Sequence, residues 1–167
     1  MNNVVRFIEN LSDQTAKISA ILLGLMSVLI LVEIFLWNIF EATTLIADEY
    51  SAYGLAAIIF LGSGYCLKEK GHIRITLVLS LLPAKATRVI TFISTVITMS
   101  FMGYVWWYLF KMVQATLRYG STSGTLTNTP LWIPQTVMLI GAACFFIQLL
   151  GTMIKTYQAI RTGEEVI

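Results

Sequence analysis

The stretch Glu49–Pro83, EYSAYGLAAIIFLGSGYCLKEKGHIRITLVLSLLP, decides the fold class. It opens on acidic residues, crosses an apolar run, meets a basic cluster at KEKGHIR and follows a short greasy segment to a proline. The run Glu49–Leu67 is long enough to cross the roughly 30 Å of hydrocarbon that about 20 helical residues span. The segment Ile75–Leu82 is too short for that. The pattern predicts one helix across a membrane and a second lying against its cytoplasmic face.

Three further runs have the same length and character: Ile18–Phe40, Val89–Phe110 and Leu131–Met153. They are continuous rather than alternating, and a backbone in lipid must satisfy its polar groups internally, so helices are expected and not a barrel. Composition agrees. Of 167 residues, 57% are hydrophobic and 12% charged, against about 25% charged in soluble domains. The expected fold is therefore an all-α integral membrane protein, a single membrane domain over residues 1–167 with four spans. The first apolar run starts late, is too long for a signal h-region and lacks a small-x-small cleavage site, so it is expected to stay in the mature chain.

Two amphipathic pieces flank the spans. Val4, Phe7, Ile8 and Leu11 share one helical face, with Arg6, Glu9, Asn10 and Asp13 opposite. This predicts an interfacial helix over about 3–16, the alternative being a plain extension of the first span. A second interfacial helix is expected over about 72–82, where Leu77, Val78, Leu81 and Leu82 recur at helical spacing and Pro83 favours an end. Between the third and fourth spans, Gly120–Thr129 is rich in Gly, Ser and Thr and reads as a flexible loop carrying Lys111 and Arg118 on its approach. Pro130 is expected to open the fourth span.

Basic residues orient the chain. Arg6, Lys17, Lys68, Lys70, Arg74, Lys85, Arg88, Lys155 and Arg161 fall on one side; Lys111 and Arg118 fall on the other. The positive-inside rule puts both termini in the cytoplasm. Trp37, Trp106, Trp107 and Trp132 gather near the opposite ends of their spans, as an aromatic belt does.

Few residues invite chemistry. Glu33 sits within the first span; it reads as an ion relay or as a paired structural carboxylate, and no series of ionisable groups in the other spans supports the relay. His72 is the sole histidine, too few for bis-histidine haem ligation. Cys66 and Cys144 stand alone in apolar runs and read as packing residues. Lys68, Lys70, Lys85 and Arg88 are placed to meet lipid headgroups. Thr91, Thr95 and Thr98, with Gly141, Ala142, Ala143, Cys144 and Gly151, read as helix-packing positions rather than a substrate path. A net charge of +2 with scattered basic residues gives no nucleic-acid stripe. No catalytic constellation is present in the sequence, and no enzyme is expected.

In order and spacing, Glu49, Leu61–Gly62, Lys68, Gly71–His72–Ile73–Arg74 and Leu82–Pro83 resemble the small membrane subunit of tripartite ATP-independent periplasmic (TRAP) transporters, the DctQ/SiaQ type. Many members carry an acid two positions after the basic residue of the GHI-basic motif; here that position is Thr76. The resemblance implies a bacterial inner-membrane system for organic acids of the sialic acid or dicarboxylate class. It also implies two partners: a large membrane subunit and a periplasmic substrate-binding protein. The coupling ion, sodium ahead of proton, would sit on the large subunit, with no cofactor on this chain. Glu33, Trp37, Glu49, Gly62, His72 and Arg74 are then candidates for the subunit interface. Lys111, Arg118 and Tyr119 are candidates for docking the binding protein. Two rival readings remain at this stage: a haem-bearing anchor of a respiratory enzyme, and a small stand-alone exporter.

Overall fold

The computed structural model describes residues 3–69 and 83–162. Four helices hold most of them: α1 Asn3–Phe40, α2 Ala47–Lys68, α3 Ala84–Tyr119 and α4 Trp132–Thr162. Each is long and apolar enough to cross a membrane. At 1.5 Å per residue, α1 and α3 are each more than about 50 Å long, longer than the roughly 40–45 Å of a whole bilayer. Untilted, both would project beyond it.

The amphipathic stretch expected over 3–16 is helical, and it runs into the first span without a break. Its covered stripe is Val5, Ile8, Ser12, Thr15 and Ser19, while Val4 and Phe7 are exposed. The cover comes from the protein itself. Gly151 of α4 lies against Ile8, where a Cβ would stand 3.2 Å from Cγ2. Small polar side chains at 12, 15 and 19 allow the same closeness higher up. The interfacial helix expected over 72–82 lies outside the described residues.

The third span runs past its expected end at Phe110 and stops at Tyr119. Lys111–Tyr119 contains good helix formers and no breaker, so the helix continues after the apolar run ends. Gly120 closes it in the left-handed region, φ +60°, as a residue without Cβ can do at no steric cost. Pro130 does not open the fourth span. It pairs as an isolated bridge with Thr122, and α4 starts two residues later. Pro134 instead occupies the first turn, where its missing N–H leaves no helix bond unmade.

The packing is uneven. α1, α2 and α4 form a three-cornered unit, and α3 has its substantial packing with α4 alone. α2 and α4 run parallel and cross where Gly141 meets Phe60 and Leu61. A Cβ on Gly141 would stand 2.7 Å from the Phe60 carbonyl carbon and 2.9 Å from the Leu61 nitrogen. Backbone touches backbone there, the approach that small residues permit in lipid. Ala142, fully buried, sits beside it. The half of α1 nearer the α1–α2 turn is held only along a thin stripe, Leu22, Met26, Leu29, Glu33 and Leu36. Val28, Leu31, Phe35 and Ile39 around it are exposed.

Candidate functional site

The polar groups of this apolar chain gather at the two ends of the bundle. At one end, the start of α1 meets the ends of α2 and α4. Asp13 pairs with Lys68, and Glu9 pairs with Lys155. Between them Ser12 Oγ donates to Gln148 Oε1 at 2.9 Å, and both residues are buried. Ser19 Oγ donates to the Ile58 carbonyl at 3.3 Å. The Glu9–Lys155 pair brings residues near both termini to this one end, as four crossings require.

At the other end, two carboxylates are held without a cation among the described residues. Glu33 accepts from the hydroxyls of Thr43 and Thr44. It also accepts from the Thr44 backbone N–H, at 3.0 Å to Oε1 and 3.3 Å to Oε2. The α1–α2 turn can fold back this sharply because Glu41 and Leu45 take positive φ, 49° and 57°. Glu49, in the first turn of α2, accepts from Thr125, from Thr127 at 2.5 Å and from the Tyr53 hydroxyl at 3.0 Å. Tyr50 and Thr129 hydroxyls meet at 3.3 Å beside it.

The stretch expected to be a flexible loop is thus a closed hairpin. Ser123 N–H donates to the Thr129 carbonyl at 3.0 Å, Asn128 N–H to Thr125 at 3.1 Å and Leu131 N–H to Ser121 at 3.2 Å. Gly124 and Asn128 supply the positive φ the bend needs. Within it, two short relays end on Glu49: the Ser123 hydroxyl donates to Thr125 at 2.7 Å and the Thr129 hydroxyl to Thr127 at 3.0 Å, and Thr125 and Thr127 each give their one proton to the carboxylate. The charge of Glu49 strengthens each bond that ends on it.

The expected site residues fare differently. Glu33 is taken by the turn and not by another helix. Glu49 is taken by the hairpin. Gly62 packs inside the chain, where a Cβ would be 3.6 Å from Ser19 Oγ. Trp37 is 60% exposed on the unpartnered half of α1. Lys68 is bound to Asp13. Lys70, His72 and Arg74 lie outside the described residues, as do the side chains of Lys85 and Arg88 in the first turns of α3. Lys111, Arg118 and Tyr119 are helical rather than loop residues. Lys111 Nζ stands 5.3 Å from the Trp107 ring centroid. The ion pairs among the described residues are Asp13–Lys68 and Glu9–Lys155, so neither Lys111 nor Arg118 meets a carboxylate.

Sequence reasoning missed Ser12, Gln148, Thr43, Thr44 and the hydroxyl relays. A signal existed for some. Gln148 is an amide within an apolar run, and Ser121, Ser123, Thr125, Thr127 and Thr129 alternate at period two, which would set hydroxyls on one face of an extended segment. Among the described residues no three His, Cys, Asp or Glu side chains come together. Two surface hollows lie along α3. One is an apolar groove of about 270 Å³ between α3 and α4, walled by Gly103, Trp106, Ala143, Phe146 and Ile147. The other is an open hollow of about 590 Å³ along Lys111, Gln114, Arg118 and Tyr119.

Neither a curated protein nor a solved structure matches the chain. A family does, over residues 26–159, and its description is "Tripartite ATP-independent periplasmic transporters, DctQ component". That match takes in α2, α3, the hairpin and nearly all of α4, and with it both threonine-held carboxylates. By that match, the chain belongs to the DctQ-component family of TRAP transporters.

Proposed function

We propose that this chain is a brace for the large membrane subunit of its transporter, and that its hairpin end helps dock the substrate-binding protein. It would lie in a bacterial inner membrane with both termini cytoplasmic and the hairpin in the periplasm, as the basic-residue asymmetry favours. The transported solute would be an organic acid of the sialic acid or dicarboxylate class. The coupling ion, sodium first and proton second, would bind the large subunit.

One observation carries the bracing role. The outer half of α1 and most of the circumference of α3 are uncovered apolar surface at bilayer depth. Meanwhile the carboxylate within α1, Glu33, is occupied by the α1–α2 turn. The chain thus offers wide faces to another membrane protein and no series of free ionisable groups along its described spans. For docking, Arg118, Tyr119 and Leu126 support the reading. Tyr119 and Leu126 are 76% and 79% exposed at the hairpin end, and Arg118, next to Tyr119, meets no carboxylate among the described residues.

Reconstitution tests both parts. In proteoliposomes under an ion gradient, this chain alone should move no organic acid, and uptake should need the large subunit and the binding protein. Gradient-driven uptake by this chain alone would overturn the brace. In the full system, Arg118→Glu should raise the binding-protein concentration that gives half-maximal uptake, more at low salt than at high salt, because rim charges act on encounter. Superimposable curves at low salt would remove Arg118 from docking.

A further inference from the structure

A third hollow, of about 300 Å³, lies on the α3–α4 seam at the end away from the hairpin. Phe92 of α3 lines it, with Met153, Ile154, Tyr157, Gln158 and Arg161 of α4. The five α4 residues recur at i, i+1, i+4, i+5 and i+8, so they share one side of the helix. Phe146, which lies against Gly103 of α3, falls on the same side at 100° per residue. That side is therefore the one turned to α3. Phe92 closes the hollow with its ring against Tyr157, the centroids 6.4 Å apart.

The hollow runs through the depth at which a bilayer changes character. Trp132 begins α4, and interfacial tryptophans mark the edge of the hydrocarbon. Met153 stands about 32 Å further along the axis, where roughly 30 Å of hydrocarbon has ended. Tyr157 stands about 6 Å beyond Met153, in a headgroup layer about 5–7 Å thick. Arg161 is one turn beyond Tyr157. Helix side chains lean toward the N-terminus, which for α4 is back toward the bilayer, and Arg161 accordingly lines the same hollow as Met153. It meets no carboxylate among the described residues. A cation in the last turn also suits the helix dipole, but that role needs no hollow.

We infer that this hollow holds one phospholipid, with its phosphate on the Arg161 guanidinium and the start of an acyl chain along Phe92, Met153 and Ile154. A phospholipid carries anionic oxygens and hydrocarbon in that order and at those depths. The planar guanidinium matches phosphate with two parallel N–H donors. Tyr157, an apolar ring with a polar tip, suits the boundary between the two. A soluble acidic partner would satisfy the cation alone, because Met153 lies at the hydrocarbon edge. The basic residues expected to meet headgroups were Lys68, Lys70, Lys85 and Arg88. Of these Lys68 is bound to Asp13, and Arg161 was not among them. The name of the leaflet rests on the proposed orientation; the site does not.

The test uses the full chain in mild detergent, stripped of lipid and titrated with phosphatidylglycerol while native mass spectrometry counts the lipid bound. One lipid per chain should bind more tightly than the rest. Arg161→Gln should weaken it about fivefold, the effect of one basic residue near an anionic surface. Lys17, an exposed cation at the same end of the bundle, lies outside the hollow, and Lys17→Gln should leave the first lipid unchanged. Excess glycerol phosphate, a headgroup without acyl chains, should not displace it. Equal binding by Arg161→Gln and wild type, or no distinct first lipid, would overturn the site. So would an equal loss in Lys17→Gln, which points to diffuse attraction of anionic lipid. Displacement by glycerol phosphate would overturn it too, and points to a free-anion site. Arg161 is exposed near the end of its helix, so its replacement leaves the bundle folded and the comparison stands.

Discussion

The two ends of the bundle keep their carboxylates by opposite means. Where α1, α2 and α4 converge, Asp13 and Glu9 meet lysines, and a buried Ser12–Gln148 bond stands between them. Where the turns lie, Glu33 and Glu49 meet only hydroxyls and a backbone N–H. The first arrangement joins residues more than 50 positions apart and ties three helices into one body. The second ties each loop to the end of one helix, the α1–α2 turn to α1 through Glu33 and the hairpin to α2 through Glu49. One end therefore sets the helix arrangement and the other sets loop shape. The difference teaches that a change at the converging end should be felt globally, and a change at the turn end only locally.

The largest break in that comparison is expected at Gly141, where α2 and α4 touch backbone to backbone. Gly141→Ala places a Cβ less than 3 Å from Phe60 and Leu61 main-chain atoms. Neither backbone can yield without moving its helix. Overpacking of this kind costs about 1–3 kcal/mol. The apparent Tm in detergent should fall clearly, while Gly24→Ala, with nothing within 4 Å, should not lower it. Equal Tm values for the two variants would mean that the crossing is looser than the structure has it.

A smaller effect is expected at Ser12. Ser12→Ala leaves Gln148 Oε1 buried without its donor. Buried orphans cost about 1–3 kcal/mol in proteins, and interhelical bonds in membranes average about 0.6 kcal/mol. A loss near 1 kcal/mol in unfolding free energy is expected. Replacing both partners sharpens the point. Ser12→Ala with Gln148→Met removes donor and acceptor together and should be less destabilised than Ser12→Ala alone. Strictly additive losses would show that the bond itself contributes little.

The spans were legible because lipid imposes a length and a hydropathy on the sequence that water does not. Helix ends were less so. Hydropathy reports where the apolar run stops, near Phe110, yet helical hydrogen bonds need no lipid, and Met112–Tyr119 carry the helix onward. Pro130 and Pro134 both satisfy the rule that proline is tolerated around a helix start, and the rule alone does not choose between them. The N-terminal helix buries Val5 and Ile8 within the chain and leaves Val4 and Phe7 exposed, so protein covers one side of it, a use that the apolar spacing alone does not reveal. The candidate site was the least legible part. Composition marks Gly120–Thr129 as a turn-forming stretch, but nothing local to it names an acceptor 76 residues away at Glu49.

That distant acceptor gives the smallest and most local prediction. Glu49→Gln keeps the size of the side chain and one carbonyl oxygen. It removes the charge that strengthens the bonds from Thr125, Thr127 and Tyr53, since hydrogen bonds to an ionised acceptor are roughly twice as strong as neutral ones. The amide also turns an NH2 toward hydroxyls that were donating, so part of the relays from Ser123 and Thr129 must reverse direction. The helices do not depend on these bonds, and the Tm should stay within error of wild type. The hairpin does depend on them. Amide exchange at Ser123 and Leu131, whose N–H groups close it, should quicken several-fold. Asp48→Asn is the control, because the adjoining bond, from Ser51, goes to the Asp48 backbone carbonyl and not to its carboxylate. Unchanged exchange in Glu49→Gln would mean that the hairpin closes through its own backbone ladder, and Glu49 would then be free to serve a partner.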